Sequence, residues 1–379
     1  MRFKIFTGNW QIIKLKSIVK ETKCFTSNFE EYPLYSFTIE NGVTPKTDRY
    51  ERGFLVKKDG DTFKVISPGE FVMNPMNLRF GAINYSKLDI PVSVSGYYDI
   101  FRIDNGEYND FWYAYLSNKK TLNRYNRIAT GSLEEKKRVH FSQLVNLNIK
   151  APCDDEKLKI NNLLFLINSR ITTQKKIIED YKALKNQIIN TIYNTDVYNS
   201  KLSNLIIQIS KRNKNNTIDN VLSVSNKYGF IKQSEQFEDR EVASDDISNY
   251  KIISKDIFAY NPARINVGSI AKYNNEDEGI VSPMYICFKT KDALLPEYLN
   301  YYFDSNEFKY QMSKRLEGSV RQCLTFESLI NIPFKLPSLE EQKKNADIIS
   351  TFNNKIAFEE KYLKVLELQK SYLLNNMFI

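Results

Sequence analysis

The sequence predicts an α+β protein with two globular mixed α/β domains separated by two long antiparallel coiled-coil helices, its halves related by an internal pseudo-twofold repeat. Three observations carry this. Residues recur along the chain at a constant offset of 187. Two stretches of about 40 residues place apolar side chains at steps of three, four and seven, without an interior Gly or Pro. The segments ahead of them hold short β-like runs between Gly, Pro and Asn turns.

The repeat comes first because it sets the number of units. Lys14-Leu15 recurs as Lys201-Leu202, Gly42 as Gly229, and Asn74-Pro75 as Asn261-Pro262. Gly81 and Ile83 recur as Gly268 and Ile270. Val94-Ser95 recurs as Val281-Ser282, Tyr98 as Tyr285, Phe101 as Phe288, and Gly131-Ser132 as Gly318-Ser319. Further on the offset is 185: Phe141 with Phe326, Pro152 with Pro337, Glu156 with Glu341, Ile171 with Ile356. A two-residue change in one loop accounts for the shift. Chance matches would scatter over many offsets.

Each half then reads in the same order. The first globular segment spans 1–151, with strand-like runs such as Phe63-Lys64-Val65-Ile66. The second spans 196–336, with Tyr285-Ile286-Cys287-Phe288 and a short helix from Pro296 to Phe303. A Pro opens each long helix. In 152–195 the stripe runs through Ile160, Leu164, Ile167, Ile171, Ile178, Tyr181, Leu184, Ile188 and Ile192. In 337–379 it runs through Ile349, Ile356, Leu363, Leu366 and Leu373, and Ser338 with Glu341 is set for a capping box. A helix of this length, about 60 Å, exceeds what one 150-residue globule can cover. The stripes are therefore expected to pack on each other or on partner subunits. The order globule–helix–globule–helix makes the helices antiparallel if the chain folds back about a pseudo-twofold axis.

Composition excludes several classes. With 42% apolar and 13% aromatic residues the chain can bury real cores, so wholesale disorder is excluded. No run of 18 apolar residues exists and the start lacks an apolar leader, so neither a membrane span nor secretion is expected. Cys24, Cys153, Cys287 and Cys323 lie far apart without a CxxC pair, which fits a reducing cytoplasm and neither a disulfide frame nor a zinc site. His140 is the single histidine, so HExxH zinc chemistry is impossible. There is no GxxxxGK[ST] loop and no glycine-rich cofactor loop. Neither metal nor cofactor is expected. The net charge is +9, of which the two long helical segments hold +2 and zero. The remaining stretches carry the excess, a distribution compatible with nucleic acid.

A resemblance adds to this reading. The segment from Leu336 to Phe378 contains Pro337-Ser338-Leu339-Glu340-Glu341-Gln342 and ends in Leu368 to Phe378, LQKSYLLNNMF. It resembles the distal conserved region of specificity subunits from type I restriction–modification systems. The helix after Pro152 is similar to their central conserved region, although Lys157 stands where the Gln of the phrase would be. Asn261-Pro262-Ala263-Arg264-Ile265 followed by Gly268-Ser269-Ile270 also looks like family material; the first copy departs from it, with Asn77 at the Arg position and Arg79 nearby. The resemblance implies that 1–151 and 196–336 are target recognition domains, each reading half of a split duplex DNA site. It implies that 152–195 and 337–379 are conserved helical regions that dock two methyltransferase subunits, with restriction/translocase subunits joining through the complex. Readers one DNA turn apart, about 34–36 Å, suit such helices.

The residues offered for DNA are Arg, Lys and Gln in or beside turns and repeated motifs, because these types reach base edges and phosphates. In the first domain they are Lys46, Arg49, Arg52, Arg79, Arg124 and Arg127. In the second they are Lys232, Gln233, Arg240, Arg264, Lys314, Arg315, Arg321 and Gln322. Docking and coiled-coil positions are Ile160, Ile167, Ile171, Ile178, Ile349, Ile356 and Leu363. Asn-Pro starts turns, so Asn74-Pro75 and Asn261-Pro262 read as shared fold-defining turns. Gly131-Ser132 and Gly318-Ser319 read equally as plain turns or as phosphate-touching loops. An amino-methyltransferase loop needs a second Pro and an aromatic, but Met76 and Ala263 follow the Asn-Pro pairs. Glu341-x-Lys343 lacks the Pro-Asp of a nuclease site and reads as helix surface. The expectation is a non-catalytic, sequence-reading subunit. A coiled-coil adaptor with two protein-binding globules, or the recognition subunit of a related multi-subunit type II system, are the alternatives.

Overall fold

The computed structural model describes residues 2–46, 63–226, 228–233, 246–318 and 322–378. They form two compact units, Met1–Lys175 with Tyr362–Ile379, and Lys176–Lys361. No helix among the described residues is long and apolar enough to cross a membrane.

Unit 1 is built on a four-stranded antiparallel sheet. Strands Val19–Thr22, Asp99–Ile103, Phe71–Met73 and Ile83–Tyr85 lie in that order. Phe71, Val72 and Met73 are all buried, as befits a strand covered on both faces. A second set of strands pairs Phe63–Ile66 with Phe25–Thr26 and Val92–Ser95. The hairpin Tyr35–Thr38/Gly42–Pro45 adjoins it through a parallel bridge from Leu34 to Ser93. Short helices follow at Asn109–Ser117, Lys119–Ile128 and Phe141–Val145. Asn118 caps the second by accepting from the Thr121 amide. Strands Gln11–Lys14 and Asn148–Ala151 then pair to close the globule.

Unit 2 has the same plan. Ile206–Ile209, Ile286–Thr290, Phe258–Tyr260 and Ile270–Lys272 form its first sheet, in the order that the offset of 187 demands. Even the pair registers repeat: Phe101 lies opposite Phe71, and Phe288 opposite Phe258. Those rings stack in both units, with centroids 5.6 and 5.1 Å apart. The second sheet orders Gly229–Lys232, Val221–Ser225, Gly279–Val281 and Lys251–Ile253, with the middle pair parallel. Helices Pro296–Tyr302, Asn306–Ser313 and Phe326–Ile330 match those of unit 1, and Ser200–Lys201 pairs with Pro333–Phe334. The change of offset falls between two equivalent bridges, Thr130–Arg138 and Glu317–Cys323.

The two long helices run Asp154–Tyr193 and Leu339–Met377. Each contributes one part to each unit; unit 1 is therefore made of two separate segments, and unit 2 of the single stretch Lys176–Lys361. Both units pair them antiparallel. In unit 1 Ile160 and Leu163 lie beside Leu373 and Met377, and Lys175 meets Glu367 at 3.6 Å. In unit 2 Lys182 meets Glu360 at 2.6 Å, and Lys185 reaches Asn353. Ile160, Ile167, Ile171, Ile178, Ile349 and Ile356 are buried within the chain, and Leu363 is half-buried. The stripe departs from expectation after Ile178. Leu184 is exposed, and Ile189 and Tyr193 are the buried residues. A step of eleven from Ile178 to Ile189 restores the face that a strict seven-residue repeat would lose on a straight helix.

The starts of the two helices solve the same problem differently. At Ser338 the capping box forms: the Glu341 amide donates to Ser338 Oγ, and the Ser338 amide donates to the Glu341 carboxylate. Cys153 replaces that Ser in the first copy. Glu156 instead turns inward, fully buried, and accepts two hydrogen bonds from Arg2 at 2.7 and 2.6 Å. Gln342, also fully buried, accepts from the Leu295 amide and donates to the Ala293 and Pro337 carbonyls. Lys157 stands in its place in unit 1 and pairs with Asp104 at 3.0 Å and Asp154 at 2.8 Å. Burial works against its charge, but the hydrogen bonds to Asp154 and Asp104 outweigh this and raise its pKa. The resulting stabilisation is complete below the ordinary lysine value of 10.5 and is lost as pH rises through the raised value.

Two outcomes follow. Lys157→Gln should cost about 1–3 kcal/mol at neutral pH, although it copies the other half, because Asp104 loses its cation; denaturant unfolding measures this. Phe378→Ala should destabilise unit 1 by about 3–5 kcal/mol, because its ring is packed among Trp10, Phe111 and Tyr115. Hydrogen exchange should show protection lost in unit 1 before unit 2.

Candidate nucleic-acid interface

The repeated Asn-Pro turn organises the same neighbourhood in each unit. In unit 2 strand Phe258–Tyr260 leaves the sheet into Asn261-Pro262-Ala263-Arg264. Asn261 Oδ1 accepts from the Ala263 amide at 3.0 Å, the geometry of an Asx turn. A short 3-10 turn, Ile265–Val267, follows, and Gly268 at φ 90 returns the chain to strand Ile270–Lys272. The left-handed backbone there favours glycine. The Pro262 carbonyl accepts from the Leu324 amide at 3.1 Å, and the Leu324 carbonyl accepts from the buried Tyr260 hydroxyl. The bridge from Glu317 to Cys323 is thereby held beside the turn.

This places several expected residues around one hub. Arg264 is exposed on the turn itself, and Gln322 is exposed next to the bridge. Arg315 is half-buried and donates to the Gln311 carbonyl and side chain at 2.9 and 2.7 Å, which fixes its stem at the end of helix Asn306–Ser313. Lys314 hydrogen-bonds the Tyr310 hydroxyl and lies 3.8 Å from that ring's centroid. Lys232 is exposed at the end of strand Gly229–Lys232, and Gln233 follows it, half-buried. Strand Gly229–Lys232 borders Ala271 of the first sheet. Arg240 and Arg321 lie outside the described residues.

Unit 1 reproduces the turn. Asn74 Oδ1 accepts from the Met76 amide at 3.0 Å, Gly81 has φ 96, and the Pro75 carbonyl accepts from the Val139 amide. The cations differ. Arg79 is only 6% exposed; its guanidinium lies 5.0 Å from the Phe80 ring centroid and donates to Asn126 of helix Lys119–Ile128. Arg124 hydrogen-bonds the Asn148 carbonyl, so it ties the helix to the closing strand. Arg127 is exposed in the helix's last turn, and Lys46 is exposed after strand Gly42–Pro45. Lys46 and Gln233 occupy repeat-related positions. Arg49 and Arg52 lie outside the described residues. Sequence reading passed over Lys136, Lys137 and Arg138, which the Thr130–Arg138 bridge and the Val139 hydrogen bond bring to the same hub. Their signal was present as three consecutive cations just before Val139. Gly131 is explained by close approach of the chain: a Cβ there would lie 2.9 Å from Lys136 O and Lys137 Cα.

No cluster of three metal-ligating side chains occurs among the described residues. The four cysteines are free, and burial pushes the Cys287 thiol up to about 12, which keeps it protonated at neutral pH. Glu341 is committed to the helix cap.

Known proteins resemble this chain in sequence over part of its length and in fold. Residues 194–368 match the family described as the type I restriction modification DNA specificity domain. Over 146 residues the chain is 29% identical to a putative type I restriction enzyme MjaX specificity subunit of Methanocaldococcus jannaschii. That match takes in 36% of this chain and spans only 33% of the relative's length. The crystal structure of a type I restriction-modification S subunit from M. genitalium superposes with a TM-score of 0.56 at 14% identity, covering 100% of this chain and 99% of that one. A chain from a study of complex assembly and conformational transition in the type I system gives 0.55 at 13% identity, covering 97% of each. Residues 194–368 are thus similar in sequence to that DNA specificity domain, and the fold resembles those of the solved S subunits over nearly the whole chain.

The turn can be tested on its own. Gly268→Ala should cost about 1–2 kcal/mol, since a Cβ is disfavoured in left-handed backbone, and Asn226 lies 3.5 Å from the new atom. Denaturant unfolding checks it.

Proposed function

We propose that this chain is the non-catalytic DNA sequence-recognition subunit of a cytoplasmic type I restriction–modification complex. Residues 1–151 and 196–336 act as target recognition domains, each reading one half of a bipartite duplex site. The helical regions 152–195 and 337–379 dock two methyltransferase subunits, through which restriction subunits join. The observation that carries this is the duplication itself. Two units with the same strand order each present cations around the same Asn-Pro turn, while side chains at that turn differ. Two readers of one design with different contact residues are what a split, asymmetric target requires. An adaptor would not need the basic excess outside the helices.

Replacing residues 1–151 with the equivalent domain of a relative should change one half of the methylated motif and leave the other intact. Methylome sequencing of a host carrying the hybrid and its methyltransferase reads this directly; a change in both halves, or in neither, refutes the division of labour. Arg264→Ala distinguishes two kinds of contact. If Arg264 reads a base, discrimination at one motif position should fall by about 1–3 kcal/mol. If it holds phosphate, binding to all sequences should weaken, and the salt dependence should flatten by about one unit of slope. Titration of the methyltransferase complex at several salt concentrations separates them.

A further inference from the structure

We infer that Phe80 and Tyr97 in unit 1, and Val267 and Met284 in unit 2, are base-contacting side chains that help set the sequence read by each recognition domain. This rests on the DNA-reading function proposed above.

Large apolar side chains are exposed at many points of the described surface, and almost all have a polar or buried counterpart in the other half. Ile12 is matched by Asn199, Phe25 by Arg212, Ile90 by Asp277, and Leu158 by Lys343. Among the described residues, two repeat-related pairs are exposed and apolar in both units. Phe80 is 61% exposed and its partner position Val267 55%; Tyr97 is 43% exposed and Met284 64%. Exposure of a large apolar group costs solubility, and chance divergence removes it elsewhere on these domains. Its retention at two places, in two halves that have otherwise drifted apart, calls for a surface that is covered in use.

Both pairs belong to the Asn-Pro hub. Phe80 and Val267 end the 3-10 turn that follows it. Tyr97 and Met284 sit in the turns that lead from Val92–Ser95 to Asp99–Ile103 and from Gly279–Val281 to Ile286–Thr290, where the amides of Tyr98 and Tyr285 close equivalent turns onto Ser95 and Ser282. Met284 Sδ lies 4.0 Å from Asn261 Nδ2. The surroundings select the occupant. Arg79 lies against Phe80, with Arg127, Lys136 and Arg138 on the same hub; Arg264 opens the turn that Val267 ends, and helix Asn306–Ser313, which Lys314 and Arg315 follow, packs on that turn. An apolar tip ringed by cations suits a polyanion whose bases are apolar on their faces and on the thymine methyl. The chemistry within each pair also argues for DNA. Position is kept while identity changes, Phe to Val and Tyr to Met. Two copies of one protein partner would favour the same side chain twice, whereas two different half-sites require different ones.

The test uses the full chain with its methyltransferase. Phe80→Ala and Met284→Ala are made separately, with Val197→Ala as a control at another exposed apolar position. Motif profiles and duplex affinities are measured for each. The expected result is that F80A loses about tenfold or more in discrimination at one position of one half-site, the scale of a single mismatched base pair. M284A should do so in the other half-site, and V197A should change nothing. Unchanged motifs and affinities in F80A and M284A, with a split motif read by the unmodified chain, would overturn the inference alone. Loss of methyltransferase co-purification in those variants, with DNA discrimination intact, would overturn it in favour of protein docking. Absence of any split motif for the unmodified chain would remove the reading on which it rests.

Discussion

Burial of the last turn of each long helix is the constraint on which both units depend. Phe378 fills a space among Trp10, Phe111 and Tyr115, and the core of unit 1 is incomplete without it. Tyr193, at the repeat-related position, does the same in unit 2. It packs on Tyr298 and Tyr302 and donates its hydroxyl to the Tyr298 carbonyl at 2.6 Å. Burial keeps that hydroxyl protonated, with its pKa pushed far above the usual tyrosine range. Each globule thus completes its core with the end of a long helix. A mixed α/β globule of this size exposes part of its core unless another element covers it. In unit 1 the cover comes from the far end of the chain, so that unit is assembled from two separate segments, whereas unit 2 holds its covering Tyr193 within the single stretch Lys176–Lys361.

Backbone pairing and side-chain chemistry have diverged at different rates. The sheets repeat strand for strand because hydrogen-bond ladders and stacked Phe pairs tolerate little change in register. Polar contacts at the helix starts have been rewritten. The Ser338–Glu341 box became Cys153 with Glu156 bound to Arg2, and the Gln342 bridge became the Lys157–Asp104 pair. Each replacement gives the buried side chain hydrogen-bond or ion-pair partners, which is the condition that burial imposes. The hubs at the Asn-Pro turns follow the same logic on the surface. The turn, the left-handed glycine and the carbonyl that accepts from Val139 or Leu324 persist, while the cations and apolar tips around them differ. A rigid frame carrying variable side chains is the arrangement that sequence-specific binding needs, because base contacts depend on side-chain identity only when their placement is fixed.

Much was legible in the amino-acid sequence alone. The duplication, the two long helices, their Ser338–Glu341 cap and the α+β class followed from periodicity and offset, because these depend on local patterns of apolar and turn residues. The resemblance of Leu336–Phe378 to specificity subunits was legible for the same reason, since that helix keeps a linear motif. The tertiary structure decided what depends on contacts distant in sequence. It showed that Arg79 is packed inward against Phe80 and Asn126, and that Arg124 holds a strand carbonyl. It brought Lys136, Lys137 and Arg138 to the same hub. It moved the buried stripe from Leu184 to Ile189 and Tyr193, because a straight helix drifts from a seven-residue repeat. It also joined Arg2 to Glu156 and Phe378 to Trp10. Residues 154 or more positions apart cannot signal such pairings in a single sequence: the energy that selects them arises from packing in three dimensions, and no local pattern records it.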